Sequence, residues 1–273
     1  MQSFSLANHE DSLLPDGNWK LVWNDEFDGT ELDRSKWDYR LTMMGKRHPA
    51  WTEKGVYLDG HSNAVFTILE EDGRPVSSQL QTGYNFMDEP VVPTKNGKEY
   101  LQWTVGKLHR NLFTHTYGYY ECRCRLQQRT DAWWSAFWIQ SPVIGASLDP
   151  ADTGTEIDIM ECFHSGGIVP HNAFTGGYGL DCKRAFVGGR DGLDQKAFHR
   201  FGLLWDENGY TFYIDGVEDG HISEYVSKRP EFILISTEVK GYRLECHQAL
   251  PPAFDAVGQD DFLVDYVRVF DRV

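Results

Sequence analysis

Cysteine is scarce and odd in number, five among 273 residues. Cys122 and Cys124 stand two apart on one expected strand, where neighbours along a face are too splayed to bridge. No disulfide framework is expected. Long apolar runs are missing too: no stretch approaches the roughly 20 residues of a membrane-spanning helix, and Met1 to Asp16 lacks the basic start and apolar run of a leader peptide. A membrane is therefore not an expected partner, and the expected location is secreted or periplasmic with the leader absent from this chain. An intracellular location stays open. Positive charge is in short supply, 26 Lys and Arg against 41 Asp and Glu, for a formal net charge of -15. Nucleic-acid binding depends on neutralising phosphates, so nucleic acid is not an expected partner either. An anionic polysaccharide remains allowed, because exposed charges are screened beyond about 8 Å at physiological salt and a cleft can be locally basic. Finally, no segment longer than about ten residues carries uninterrupted helical periodicity, and neither internal repeats nor low-complexity tracts occur.

What is present in excess is aromatic. Phe, Trp and Tyr make up 14% of the chain, nine of them Trp, a composition suited to stacking on flat ligands as well as to packing a core. Short β-rich runs recur between turn signals: Lys20 to Trp23, Ala64 to Leu69, Gly118 to Leu126, Ser135 to Gln140, Glu156 to Glu161, His199 to Trp205, Tyr210 to Ile214, Glu231 to Thr237 and Phe262 to Phe270. Asp215-Gly216 between two such runs is a hairpin signal, because Gly accepts positive φ in a tight turn. This spacing predicts an all-β sandwich. All-β sandwiches commonly reach this size as one unit, so residues 18–273 are expected to form a single domain, preceded by a polar, aperiodic extension over residues 1–17.

The most informative segment is Gly154-Thr-Glu-Ile-Asp-Ile-Met-Glu161. On a strand, Glu156 and Asp158 share one face while Ile157 and Ile159 share the other. A regular strand would send Glu161 to the core, where an unpaired carboxylate costs several kcal/mol. A β-bulge near Met160 removes the conflict: one extra residue returns Glu161 to the face of the other acids. Their side chains can then lean together to about 5–5.5 Å, the carboxyl separation of retaining glycosidases. Asp158, between the two Glu, is too short to attack and is placed to hold a proton or hydrogen bond beside Glu156. The alternative is a solvated strand face whose acids keep an edge soluble.

Glu156-Ile-Asp-Ile-Met-Glu161 resembles the bulged Glu-x-Asp-x-x-Glu signature of glycoside hydrolase family 16. The likeness extends to Leu21-Val-Trp-Asn-Asp-Glu-Phe-Asp-Gly29 with Trp37, to Tyr117-Gly-Tyr-Tyr-Glu-Cys-Arg-Cys-Arg125, to Phe198-His-Arg-Phe-Gly-Leu-Leu-Trp205, to Phe212-Tyr-Ile-Asp-Gly216 and to Val264-Asp-Tyr-Val-Arg-Val269. It implies a β-jelly-roll sandwich of two antiparallel sheets with a concave substrate cleft. The implied activity is endo-acting, retaining hydrolysis of β-linked galactans or glucans, with Glu156 as nucleophile, Glu161 as acid/base and Asp158 as assisting acid. Such chemistry needs no cofactor, and a monomer acting on a polysaccharide is expected.

Strand alternation in Trp133-Trp-Ser-Ala-Phe-Trp138 places Trp134 and Trp138 on the face away from the core residues Phe137 and Ile139. Indoles there stack on sugar rings, as the family's matching tryptophans do. The resemblance also offers His171 as a cleft histidine on the strand after the acidic one, and Glu238 stands as a candidate hydroxyl acceptor. Glu26 and Asp265, with the carbonyl of Gly60, resemble a structural calcium site, since oxygen ligands suit a hard cation. The Trp-Gly-Asn-x-Glu segment common in β-1,3-glucanases is not evident after Trp37; Met44-Gly-Lys-Arg-His-Pro-Ala-Trp51 stands instead. Its basic, aromatic cluster makes Arg47 a candidate ligand for an acidic or sulfated sugar. A β-galactan of agar, porphyran or carrageenan type, or a galactose-containing glycan, is thus the expected substrate. A β-1,3- or mixed-linkage glucan is the alternative, and a non-catalytic lectin on the same sandwich is the alternative of another class.

Overall fold

Period-two alternation gives each strand one face for a core and one for solvent or ligand. In the computed structural model of the chain, the described residues are 1–88, 105, 107–130, 133–163, 167–239, 257–258 and 260–273. Their strands assemble into two large antiparallel sheets, with three two-stranded pairs beside them. The cleft sheet runs, in spatial order, Lys183–Arg190, Val169–Thr175, Glu156–Cys162, Trp133–Gln140, Phe232–Val239, Gln79–Gln81 and Asp38–Tyr39. The outer sheet runs Val217–Ile222, Gly209–Ile214, Phe198–Asp206, Gly118–Arg125, Asp261–Arg272, Ala64–Thr67 and Val56–Leu58, and Trp19–Asp25 also pairs with Asp261–Arg272.

Between the sheets, Phe137, Ile139, Ile157, Ile159, Ile233 and Ile235 from the cleft sheet meet Cys122, Cys124, Phe201, Leu203, Val264 and Val267 from the outer one in one buried cluster. This is a jelly-roll sandwich: the strand pattern predicts the sandwich, and the family resemblance implies the jelly roll. The turn at Asp215-Gly216 has φ of 50° and 76°, the paired positive values that a tight two-residue hairpin turn requires. The four described cysteines, Cys122, Cys124, Cys162 and Cys182, are free, and Cys246 lies outside the described residues. No helix among the described residues is long and apolar enough to cross a membrane.

Residues 1–17 fold back on the outer sheet. Gln2–Phe4 pairs with Ser12–Leu14, and Phe4 and Leu14 pack with Tyr119 and Phe270. The Leu13 N–H donates to Glu121 Oε2 at 3.0 Å, and the Tyr266 hydroxyl donates to the Asp11 carbonyl at 3.0 Å. These bonds satisfy polar groups that the contact buries, which keeps its cost low.

Candidate active site

The bulge falls where the pattern of acids requires it. Phe137 pairs with Met160 and Trp138 with Asp158, which leaves Ile159 as the extra residue. Ile159 and Met160 are both buried in the inter-sheet core. Glu156, Asp158 and Glu161 therefore share the opposite face, where all three line a cavity of about 400 Å³. The start of this strand is set by Gly154 (φ 73°), whose approach to Ser141 is so close that a Cβ there would lie 2.3 Å from the Ser141 Cβ.

Neighbouring strands supply each glutamate with donors. Glu156 Oε2 accepts from Gln140 Nε2 at 2.9 Å and from the Tyr178 hydroxyl. Glu161 accepts from Trp134 Nε1 at 3.0 Å and from Asn172 Nδ2 at 2.6 Å. Hydrogen bonds to an ionised carboxylate are about twice as strong as neutral ones. The site thus holds its acids in fixed rotamers. Trp134 and Trp138 both line the acid-bearing cleft together with Glu238, which accepts from Gln79 Nε2 at 2.5 Å. Trp138 in turn donates to Ser236 Oγ at 3.1 Å.

The structure corrects three expectations. His171 is fully buried on the inter-sheet side: its ring lies 4.5 Å from that of Phe212 at 9°, and its nitrogens meet the Ile159 carbonyl at 2.7 Å and Asp219 at 3.2 Å. It shares strand parity with the core residues Val169 and Ala173, so the cleft positions of that strand are Asn172 and Phe174. Arg47 is exposed and donates to the Leu41 carbonyl at 3.1 Å. Its hairpin presents Met43 and Met44 to the cavity instead, while His48 stacks on Trp51 in the interior. The residues offered for calcium do not fit an ion. Both carboxylate oxygens of Glu26 are taken by Arg268, at 2.9 and 2.7 Å, and Asp265 pairs with Arg123 at 2.5 Å. Gly60 sits in the turn between Leu58 and Ala64, where an added Cβ would meet the Thr30 side chain at 3.7 Å. Among the described residues no group of three or more His, Cys, Asp or Glu is gathered to hold a metal.

Several cleft residues carry no sequence signal: Arg40, the pair Asn85 and Asp88, and the pair Tyr178 and Arg184 come from three stretches of the chain and meet only in the fold. Arg40 is neutralised by Asp88, at 2.8 and 3.2 Å, and its guanidinium lies 5.5 Å from the Trp138 ring. Glu231 also escapes a sequence reading. It is fully buried, and its Oε1 accepts from the backbone N–H of Thr155 at 2.9 Å and the Thr155 hydroxyl at 3.1 Å, bracing the residue before Glu156.

Burial pushes the Glu231 carboxyl up to about 8. A carboxyl raised on folding makes the native state bind more protons than the unfolded one. Its stability contribution is complete at acid pH and is lost as pH rises from the usual carboxylate range towards about 8. Glu231→Gln removes this ionisation while keeping an acceptor for Thr155. Relative to wild type, its melting temperature is expected to improve by at least about 3 °C between pH 5 and pH 9. A difference between the two proteins that does not change with pH would show that Glu231 does not titrate there.

A jelly-roll sandwich with an acid trio on the floor of a tryptophan-walled cleft has the architecture of carbohydrate-cleaving enzymes. The chain belongs to the glycosyl hydrolases family 16, whose family model matches residues 49–232. It is 27% identical over 231 residues to glucan endo-1,3-beta-glucosidase A1 of Niallia circulans, covering 79% of this chain and 31% of that protein. Beta-porphyranase B of Zobellia galactanivorans is 28% identical over 230 residues, covering 76% of this chain and 69% of that protein. This chain thus spans about a third of the first relative and about two thirds of the second. The fold is shared with the solved laminarinase from Rhodothermus marinus, at TM-score 0.64 and 21% identity over 94% of this chain and 99% of that one.

Proposed function

We propose that this protein is a retaining endo-β-glycosidase acting on a β-galactan. The observation that carries the reading is the bulge at Ile159, which turns Glu156, Asp158 and Glu161 into one cavity. Glu156 Oε2 is engaged by Gln140 and Tyr178, which leaves Oε1 to attack the anomeric carbon. As that bond forms, the glycosidic oxygen takes a proton from Glu161 and departs. Glu161, now a carboxylate, removes a proton from water, whose oxygen attacks the same carbon and releases Glu156. Two inversions give net retention. Asp158, between them on the same face, supports Glu156, and Trp134 and Trp138 offer stacking faces to the sugars. Two carboxylates suffice for these steps, so no cofactor takes part. A monomer working outside the cytoplasm suits a polymeric substrate.

Support for a galactan comes from the porphyranase relative and from the Met43 and Met44 wall, which stands where a glucanase-type segment is not evident. The names of other relatives, the Niallia glucosidase and a beta-glucanase of Rhodothermus marinus, favour a second reading, a β-1,3- or mixed-linkage glucan. Reducing-end release from agarose, porphyran, carrageenan, mucin-type glycans, laminarin and lichenan separates the two. At least one galactan is expected to be cleaved faster than either glucan, and proton NMR is expected to show the β anomer first. Laminarin cleaved faster than every galactan would replace the substrate, and an initial α product would mean inversion.

A further inference from the structure

Asn172 stands between the acid/base glutamate and a cation. Its side chain is almost fully buried, with Nδ2 donating to Glu161 Oε2 at 2.6 Å. Its Oδ1 accepts two bonds from Arg184, from Nε at 2.8 Å and from Nη2. Arg184 comes from the edge strand, where it pairs with Phe174, and its guanidinium lies 5.5 Å from the ring of Phe174 and 5.4 Å from that of Phe186. Both cleft arginines are thereby placed differently. Arg40 is held by the Asp88 carboxylate, whereas Arg184 is held by a neutral amide oxygen.

The consequence follows from the donor inventory. A primary amide can turn over and exchange its oxygen for its NH₂, but a guanidinium has donors only. With Arg184 in place the amide oxygen must face the guanidinium and the NH₂ must face Glu161. We infer that Arg184 is a positioning residue for the acid/base: by locking the Asn172 amide it reserves Glu161 Oε2 as an acceptor and directs the exchangeable proton to Oε1. That oxygen is met by the indole N–H of Trp134, which is only partly buried.

Without Arg184 the amide can reverse and present its oxygen to Glu161. A protonated Glu161 then gives its hydrogen to Asn172 and not to the glycosidic oxygen. The loss of the guanidinium acts in the same direction, since a nearby cation favours the carboxylate. Among the described residues, the other ionisable groups about Glu161 are Glu156 and Asp158 on its own strand, Glu238 on Phe232–Val239, and Arg40, Asp88, Tyr178 and Cys182 around the cavity. Asp158 is paired with Asn172 across the strands, and all of these groups are retained when Arg184 alone is replaced, so each is common to wild type and variant.

This inference rests on the proposed role of Glu161. The test is Arg184→Met beside Arg184→Lys, with kcat, KM and pH–rate profiles on the best polysaccharide. Arg184→Met is expected to lower kcat about tenfold with KM within about twofold, and to move the alkaline limb upward by about half a pH unit or more. Arg184→Lys restores part of both, since an ammonium also donates to Oδ1. A carbon-13 NMR titration of the glutamate carboxyls, with the Glu161 signal assigned by its loss in Glu161→Gln, reads the same shift without turnover. An unmoved titration in Arg184→Met overturns the inference. A rise in KM alone does so too, and would make Arg184 a substrate-binding residue. Wild-type turnover by Glu161→Gln would instead remove the acid/base role itself, independently of how Arg184 behaves.

Discussion

Glu156→Gln and Glu161→Gln are each expected to lower hydrolysis of the best substrate by roughly a thousandfold or more, with the fold intact. In double displacement neither role can be taken over by the other acid: one carboxylate must form the glycosyl ester, and the other must give and then take a proton. Residues that act as one catalytic unit lose most of the rate when either is removed. The replacements preserve packing, because a glutamine at 156 still offers an oxygen to Gln140 and Tyr178, and one at 161 still offers an oxygen to Trp134 or Asn172. Melting temperatures within a few degrees of wild type are therefore expected. The two positions separate on added azide once the side chain is shortened, as in Glu156→Ala and Glu161→Ala. A shortened Glu156 leaves space below the anomeric carbon while Glu161 still protonates the leaving oxygen, so azide partly restores bond cleavage and yields an α-glycosyl azide. Near-wild-type turnover by either Gln variant, with verified sequence and a good substrate, would show that the roles are wrongly assigned.

The second large effect is on stability. Arg268→Ala is expected to cost about 3–5 kcal/mol, which for a chain of this size corresponds to a fall of roughly 10 °C in melting temperature. Arg268 is fully buried between the outer sheet and the N-terminal hairpin; it grips Glu26 through two bonds and also donates to the Glu10 carbonyl and to Ser12 Oγ at 2.8 and 2.9 Å. Its removal leaves the Glu26 carboxylate desolvated without its cation and frees the acceptors of the hairpin. The same geometry predicts the response to metal. Because a guanidinium holds both Glu26 oxygens, millimolar calcium or EDTA is expected to move the wild-type melting temperature by less than about 2 °C. A calcium-dependent rise of several degrees would mean that Arg268 yields its place to an ion. Differential scanning calorimetry of wild type and Arg268→Ala, each with calcium and with EDTA, measures both effects.

Fold class and the acidic strand were legible along the chain because both are local. Period-two alternation orders Glu156, Ile157, Asp158 and Ile159 between two faces, and only a bulge reconciles Glu161 with them. The same rule, extended to Trp134 and Trp138, places both indoles in the cleft, where the structure has them. It could also have placed His171, since Val169 and Ala173 share its parity and are buried. A histidine there reads as polar, but its nitrogens are satisfied inside the sandwich by the Ile159 carbonyl and Asp219.

What the tertiary structure alone decided concerns groups brought together across the sheets. Arg47 lies in a basic cluster, yet the direction of its hairpin is fixed by contacts with Asp88 and the segment around it, such as the Met44 N–H donating to Asp88 at 3.3 Å. That direction turns the methionines inward and the arginine outward. Glu26 and Asp265 read as ligands for a cation, and each does hold one, a guanidinium supplied by Arg268 or Arg123 from strands distant in sequence or adjacent only by pairing. The partners of Glu156 and Glu161, namely Gln140, Tyr178, Trp134 and Asn172, with Arg184 behind Asn172, lie on three strands and a loop. Alternation along one strand fixes which way a side chain faces; it carries no information on what another segment will set against it. The identity of the acids was therefore written in the sequence, and the hydrogen-bonding environment that orients them exists only once the sheet is assembled.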